Sequence, residues 1–255
     1  MLELFRNRLA QGMQTSAFPD GAVEFPERFR GRPELTCEDC KGAPCPDCRE
    51  TIPTALVRVG TDGNAVLDLG ACLFSPEEAS GEPGCGVRFT HDHRMASSTR
   101  DSLVTPNGEP QLATALDARM RKLFGRSLRL RSVVAGSCGG CEAELNALGN
   151  VVFDMGRFGV QFVASPRHAD GIVITGTVNV NMRDALERTY EALPDPRLVI
   201  AVGACAASGG PFRGSPEIGG VPESVPVDLW IPGCPPHPLT VLDGLLRLLG
   251  RLTRR

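Results

Sequence analysis

From residue 128 to residue 252 short apolar runs alternate with segments in which apolar side chains recur every three to four positions. Residues 128–135, 160–164, 171–175, 198–202 and 227–231 are runs of about five residues and read as strands. Residues 142–148, 182–193 and 239–252 carry the helical period. Apolar strands interleaved with amphipathic helices predict a parallel sheet covered on both faces, an α/β doubly wound fold. The first 126 residues lack this rhythm. Residues 1–11 set Leu2, Leu4, Phe5 and Leu9 against Arg6, Asn7 and Arg8, a short amphipathic helix expected to pack on its own domain. Residues 15–33 hold Pro19, Pro26, Pro33, Gly21 and Gly31 and read as an extended arm. Residues 55–59 and 65–69 flank Asp62-Gly63-Asn64, a hairpin signal. Residues 111–124 read as a helix stopped by Gly125.

Composition fits a globular protein, with 42% hydrophobic and 22% charged residues in 255. A net charge of -3 demands no polyanion, so no nucleic-acid partner is expected. The longest apolar stretch, residues 238–252, is broken by Asp243, Arg247 and Arg251, and Glu3, Arg6 and Arg8 interrupt the start of the chain. Neither a membrane span nor a secretory leader is expected, which points to the cytoplasm. Charge is uneven: residues 1–118 hold 11 basic and 18 acidic groups, net -7, and residues 119–255 hold 16 and 12, net +4. The basic stretch of residues 119–131 reads as a solvated face or as a dock for an acidic surface.

The ten cysteines change the picture most. A reducing compartment argues against a disulfide framework and for metal or cluster ligation. Cys138 and Cys141 follow the first strand, Cys205 the fourth and Cys234 the last. In a doubly wound sheet the loops at the carboxyl ends of the strands meet on one edge, so these four thiols are expected to share one site. Four soft ligands suit a tetrahedral zinc or a cubane iron-sulfur cluster. Structural zinc usually takes two close-spaced pairs; here one CxxC pair is completed by two distant single cysteines set among Gly and Pro, as a cluster approached by backbone N–H groups requires.

Gly136-Ser137-Cys138-Gly139-Gly140-Cys141-Glu142-Ala143-Glu144, Ser165-Pro166-Arg167-His168-Ala169-Asp170, Thr175-Gly176-Thr177-Val178, Val202-Gly203-Ala204-Cys205-Ala206-Ala207-Ser208-Gly209-Gly210 and Pro232-Gly233-Cys234-Pro235-Pro236-His237-Pro238 occur in that order. Together they resemble the twenty-kilodalton subunit of NADH-quinone oxidoreductase and the small subunit of membrane-type [NiFe] hydrogenases. The resemblance implies a flavodoxin-like fold and one [4Fe-4S] cluster on Cys138, Cys141, Cys205 and Cys234, next to the active site of a hydrogenase- or complex I-like large subunit. It implies an electron-transfer subunit, inactive alone, lying peripherally on the inner face of the membrane through its partner subunits. The spaced CxxC and His237 resemble the group 4 hydrogenase or formate hydrogenlyase side of the family. Quinone reduction at the subunit interface is the alternative, and a structural or assembly role without redox chemistry is the third. The resemblance also implies a proton-relay role for Glu144; Glu142 reads as helix N-terminal charge. Arg167 and His168 read as loop residues tuning the cluster or meeting a partner, and His237 as a hydrogen-bond donor to a cluster sulfur.

Residues 37–85 resemble a bacterial two-cluster ferredoxin that has lost ligands. Cys72, Ser75, Glu78, Glu82 and Pro83 occupy the marked positions of its second CxxCxxCxxxCP motif, so the cluster that used Cys72 is expected to be absent. Cys37, Cys40, Cys45 and Cys48 remain, spaced CxxCx4CxxC. That set leaves open a zinc or other structural metal, a remodelled [4Fe-4S] cluster recruiting Cys85, or no metal. His91 and His93 read as surface residues of an exit strand over residues 90–96. The expected division is an arm over 1–33, a degenerate ferredoxin-like α+β domain over 34–104, a linker helix over 105–126 and the cluster domain over 127–255.

Overall fold

The structure, a computed structural model, describes residues 2–36, 55–60, 64–79, 86–125 and 127–252. The N-terminal part contains helix α1 (Leu2–Gln11) and two small antiparallel sheets. Strand β1 (Pro33–Leu35) pairs with β4 (Val87–Phe89); β2 (Val57–Val59), β3 (Ala65–Asp68) and β5 (Val104–Thr105) form the second sheet, in that order. The expected hairpin is present as Val57↔Leu67 to Val59↔Ala65. Leu56, Leu67, Leu69, Cys72, Phe74, Val87, Met95 and Leu103 form the core between these sheets.

Helix α1 does not pack on its own domain. None of its residues is buried, and Leu2, Leu4, Phe5 and Leu9 are 67–83% exposed. The expected helix over 111–124 shrinks to α2 (Ala118–Phe124). Asp117 caps it, accepting from Met120 N at 2.8 Å, while upstream the Ala113 N–H donates to Ala96 O and the Leu116 N–H to Leu248 O. Tertiary partners thus take the donors that a longer helix would need. Residues 90–96 are not a strand either; β4 stops at Phe89.

The remainder is the doubly wound sheet. Strands β6 (Leu128–Val134), β7 (Val160–Phe162), β8 (Gly171–Thr175), β9 (Leu198–Val202) and β10 (Leu229–Ile231) are all parallel, in the order β10-β9-β8-β6-β7. Numbered from the first strand of the domain this is 2-1-3-4-5, the flavodoxin-like order. All ten residues of β8 and β9 are buried, as their continuous apolar runs require in a sheet covered on both sides. Leu128, Leu130, Val173, Leu198, Ile200 and Ile231 face helices α3 (Gly140–Ala147) and, further on, the last helix; Val133, Ile172, Ile174 and Val199 face Leu186 of α4 (Val180–Glu191). A short helix, α5 (Ala204–Ser208), follows β9, and α6 (Pro238–Leu248) closes the fold. Every residue of α6 is buried, because Phe18, Ala96 and Ala113 cover the side turned away from the sheet. Asp243 and Arg247, which interrupt the apolar run in the sequence, pair with each other inside it at 2.7 Å.

The two parts are joined closely. Ser97 and Trp230 exchange backbone hydrogen bonds of 2.9 and 2.8 Å, so the N-terminal chain continues the large sheet beyond β10. Asp68, wholly buried, is held by Arg58 at 2.5 Å and Arg100 at 2.7 Å, and Arg100 Nε donates to Ala207 O of α5 at 2.9 Å.

Candidate metal centre

Parallel strands deliver their carboxyl ends to one edge, and the four C-terminal cysteines lie there. Cys138 sits in the loop after β6 and Cys141 in the first turn of α3; Cys205 is in α5, directly after β9; Cys234 is three residues beyond β10. Each of the six pairs among Cys138, Cys141, Cys205 and Cys234 interacts electrostatically. Exposure is graded: Cys141 is buried, Cys205 and Cys234 half-buried and Cys138 exposed.

The backbone makes room for the sulfurs. Gly203 has φ +90°, and a Cβ there would stand 2.6 Å from Cys141 Sγ; Gly210 has φ +57°, and a Cβ would stand 2.7 Å from Cys205 Sγ. Both positions reject a side chain on two grounds, left-handed backbone and contact with a thiol. Gly203 N donates to Ile231 O and Ala204 N to Gly233 O, each at 2.8 Å, tying the Cys205 loop to the Cys234 loop.

Glu142 fixes the third loop. Its carboxylate accepts from Ser137 Oγ at 2.7 Å and from Thr175 Oγ1, so one side chain at the start of α3 clamps the Cys138 loop to the end of β8. Helix N-terminal charge explains only part of that role. Glu142→Ala takes the acceptor from Ser137 Oγ and leaves Thr175 Oγ1 with only its longer 3.4 Å bond to Val133 O, and is expected to cost about 1–3 kcal/mol. A lower urea midpoint with an unchanged slope would register it.

Burial, then the neighbouring acidic groups, pushes all three inner thiols up: Cys141 far above its ordinary value, Cys205 to about 11 and Cys234 upward. Ionising the four thiols is opposed by burial and by their mutual repulsion, a penalty that a cationic metal centre among them would remove. Among the described residues no group of three or more His, Cys, Asp or Glu could hold a metal ion.

Glu144, on the next turn of α3, is half-buried, and burial raises its carboxyl above the ordinary range. It lines a cavity of about 250 Å³ together with Cys234, Pro235, His237, Arg30 and Phe74. His237 has a structural part that the sequence did not suggest. Its Nδ1 accepts the Leu239 N–H at 3.1 Å, capping α6, and its ring lies edge-on to Phe25, Phe29 and Phe153 at centroid distances of 5.2–5.7 Å. The arm residues 18–29 thus supply aromatic walls beside the Cys234 loop. Three phenylalanines in a Pro- and Gly-rich arm were the sequence signal for that packing. His93 is not a surface residue: it is half-buried against Phe18 and Phe25. His91 is exposed, as expected, and Arg167 and His168 are exposed in the turn leading into the amino end of β8.

Burial, with His93 nearby, lowers His237 from 6.5 to about 4. Between those values the unfolded chain binds a proton that the folded chain refuses, so this contribution is complete above about pH 6.5 and is lost as the pH falls toward 4. His237→Asn keeps a capping acceptor and removes the titration. Its melting temperature is expected to fall less than that of the parent between pH 7 and pH 4.5, measured by calorimetry.

Cys72 is buried and donates to Glu78 Oε2 at 3.4 Å; burial, then the Glu78 carboxylate, raises this thiol well above its ordinary range. Cys37, Cys40, Cys45, Cys48 and Cys85 lie outside the described residues.

Residues 138–248 match the family model described as NADH ubiquinone oxidoreductase, 20 Kd subunit. The chain is 39% identical over 152 residues to a probable membrane-bound hydrogenase subunit of Pyrococcus furiosus, covering 59% of this chain and 91% of that protein. It is 41% identical over 148 residues to an NADH-quinone oxidoreductase subunit of Citrifermentans bemidjiense, covering 58% and 85%. It is 38% identical over 184 residues to formate hydrogenlyase subunit 7 of Escherichia coli, covering 72% of this chain and 64% of that protein. The last similarity runs beyond the segment matched by the family model.

Proposed function

Because the chain belongs to the NADH ubiquinone oxidoreductase 20 Kd subunit family, we propose that it is the electron-transfer subunit of a multi-subunit, membrane-associated oxidoreductase. In this reading Cys138, Cys141, Cys205 and Cys234 hold one [4Fe-4S] cluster against the active site of a large subunit. The observation that carries it is that the loops bearing all four thiols meet at the carboxyl edge of one parallel sheet, with Gly203 and Gly210 set against the Cys141 and Cys205 sulfurs. One CxxC pair completed by two distant single cysteines suits a cubane better than one structural zinc, and the glycines at 203 and 210 leave the space its sulfurs need.

When bound, the cluster supplies a one-electron relay. The chain's own residues hold it in place. Glu142 fixes the Cys138 loop, the backbone bonds of Gly203 and Ala204 fix the other two loops to each other, and exposed Cys138 marks the side open to a partner. Glu144, half-buried beside Cys234, is suited to hold a proton close to the large-subunit active site. Among the described residues no helix is long and apolar enough to cross a membrane, so attachment to the cytoplasmic face would come through partner subunits.

A hydrogenase or formate hydrogenlyase-like complex is the favoured setting, because the first motif is a spaced CxxC and His237 follows the Pro-Pro of the last. Quinone reduction is the second reading, supported by the similarity to a subunit of the NADH-quinone enzyme. The two separate in the anaerobically purified complex. Appearance of a low-temperature S = 1/2 EPR signal under hydrogen supports the first. A signal that responds to NADH and quinone but not to hydrogen supports the second, and an iron-free complex overturns both.

A further inference from the structure

The part that resembles a ferredoxin's second motif places Cys72, Ser75 and Glu78 where that motif has thiolates, and a carboxylate fills the space. Glu78 is wholly buried. Its Oε1 accepts the Leu73 N–H at 3.0 Å, and its Oε2 accepts the Ser75 N–H at 3.1 Å and the Cys72 thiol at 3.4 Å. The Phe74 N–H between them donates to Cys72 Sγ at 3.4 Å. Neighbouring backbone N–H groups turned toward one point make an anion cradle, and here the anion is a side chain of the same loop.

This cradle adjoins the cysteine rim. The turn Leu69–Ala71 packs on α5, which carries Cys205. Phe74 lines the cavity it shares with Cys234, and both Glu78 and Cys72 interact electrostatically with Cys234. Arg28, Arg30, whose Nε donates to Phe74 O, and Glu144 are the charged groups lining that cavity.

We propose that Glu78 is a resident anion that sets the reduction potential of the cluster held by Cys234, a positioning residue that acts on electron transfer through its field. The inference rests on the cluster reading given above. Taking up one electron changes [4Fe-4S]2+ to [4Fe-4S]1+, and a fixed negative charge behind Cys234 opposes that change. A unit charge roughly 10 Å away in a medium of effective dielectric ~20 alters such an equilibrium by about tenfold. The ferredoxin-like segment, having lost this relay position, retains a hand in the electrochemistry of the remaining one.

The test is an EPR-monitored redox titration of the intact complex with dithionite as electron donor. Glu78→Gln keeps the shape and removes the charge; it is expected to favour the reduced state about tenfold, an upward shift of about 59 mV for a one-electron couple. Glu78→Asp keeps the charge and is expected to stay within about threefold of the parent. Cys72→Ala keeps the charge but strips one donor from it, so its shift is expected in the opposite direction and to be smaller; this variant decides the matter if Glu78→Gln does not accumulate. An unchanged potential in Glu78→Gln, an equal shift in Glu78→Asp, or an upward shift in Cys72→Ala overturns the inference while the parent's signal stands. Absence of any signal in the parent overturns the cluster reading itself.

Discussion

Cys141→Ser is expected to abolish cluster binding while leaving the chain folded. Cys141 is the most buried of the four thiols, lies in the first turn of α3 and sits where a Cβ on Gly203 would reach 2.6 Å from its sulfur. Serine matches its size, so the packing of Leu145 and Leu148 on the sheet should persist. What is lost is one of four soft ligands at the site with least solvent to replace it. Iron bound at this edge and its visible absorbance should disappear, while far-UV circular dichroism is retained. Gly203→Ala should reach the same result from the backbone side, because φ +90° and the Cys141 sulfur both exclude the added methyl. A Cys141→Ser protein with full iron occupancy at this edge would show that Cys141 is not a ligand.

Asp68→Ala is expected to destabilise the protein by about 3 kcal/mol, by leaving two arginines facing an apolar pocket. Asp68 is fully buried and pairs with Arg58 and Arg100, whose side chains are 33% and 22% exposed. That partial exposure lets the stranded cations reach water, which places the expected cost at the low end for a broken buried pair. The effect should extend beyond stability. Arg100 spans from Asp68 to Ala207 O in α5, and its guanidinium would lie 2.7 Å from a Cβ on Gly70, so it is packed as well as paired. Once Asp68 is gone Arg100 loses the carboxylate that orients it toward Ala207 O, and one of the links between the N-terminal sheets and the Cys205 helix is weakened. A lower urea midpoint, together with faster reaction of Cys72 with a thiol reagent, would show it. A midpoint within about 0.5 kcal/mol of the parent would contradict this account of how the two parts are joined.

Legibility followed the range of the interactions involved. Strands β8 and β9 coincide with their apolar runs because both faces of each are buried, so no polar position blurs their ends. The placement of the four cysteines along one edge was legible for another reason: parallel strands fix where their carboxyl ends go, whatever the loops contain. Glu142 could be read as helix N-terminal charge, but its bond to Thr175, 33 positions away, belongs to the folded sheet alone. Residues 111–117 have helical composition, yet Leu116 and Ala113 give their N–H groups to Leu248 and Ala96, a competition that periodicity does not register. Helix α1 shows the reverse case, an amphipathic pattern whose apolar side is covered by none of the described residues. His93 read as a surface residue of an exit strand and His237 as a donor to a cluster sulfur; that the phenylalanines of a breaker-rich arm enclose both was not legible. Glu78 read as the mark of a lost ligand; the Leu73 and Ser75 N–H groups and the Cys72 thiol that donate to it belong to the folded loop alone.

The most direct test of the account is low-temperature EPR of the anaerobically isolated, dithionite-reduced protein in which Cys37, Cys40, Cys45 and Cys48 are all alanine. A single S = 1/2 cubane signal that persists in this variant, and vanishes when Cys205→Ala is added, is the result predicted. A signal lost with the N-terminal cysteines, or one that survives without Cys205, would contradict a cluster held at the carboxyl edge of the sheet.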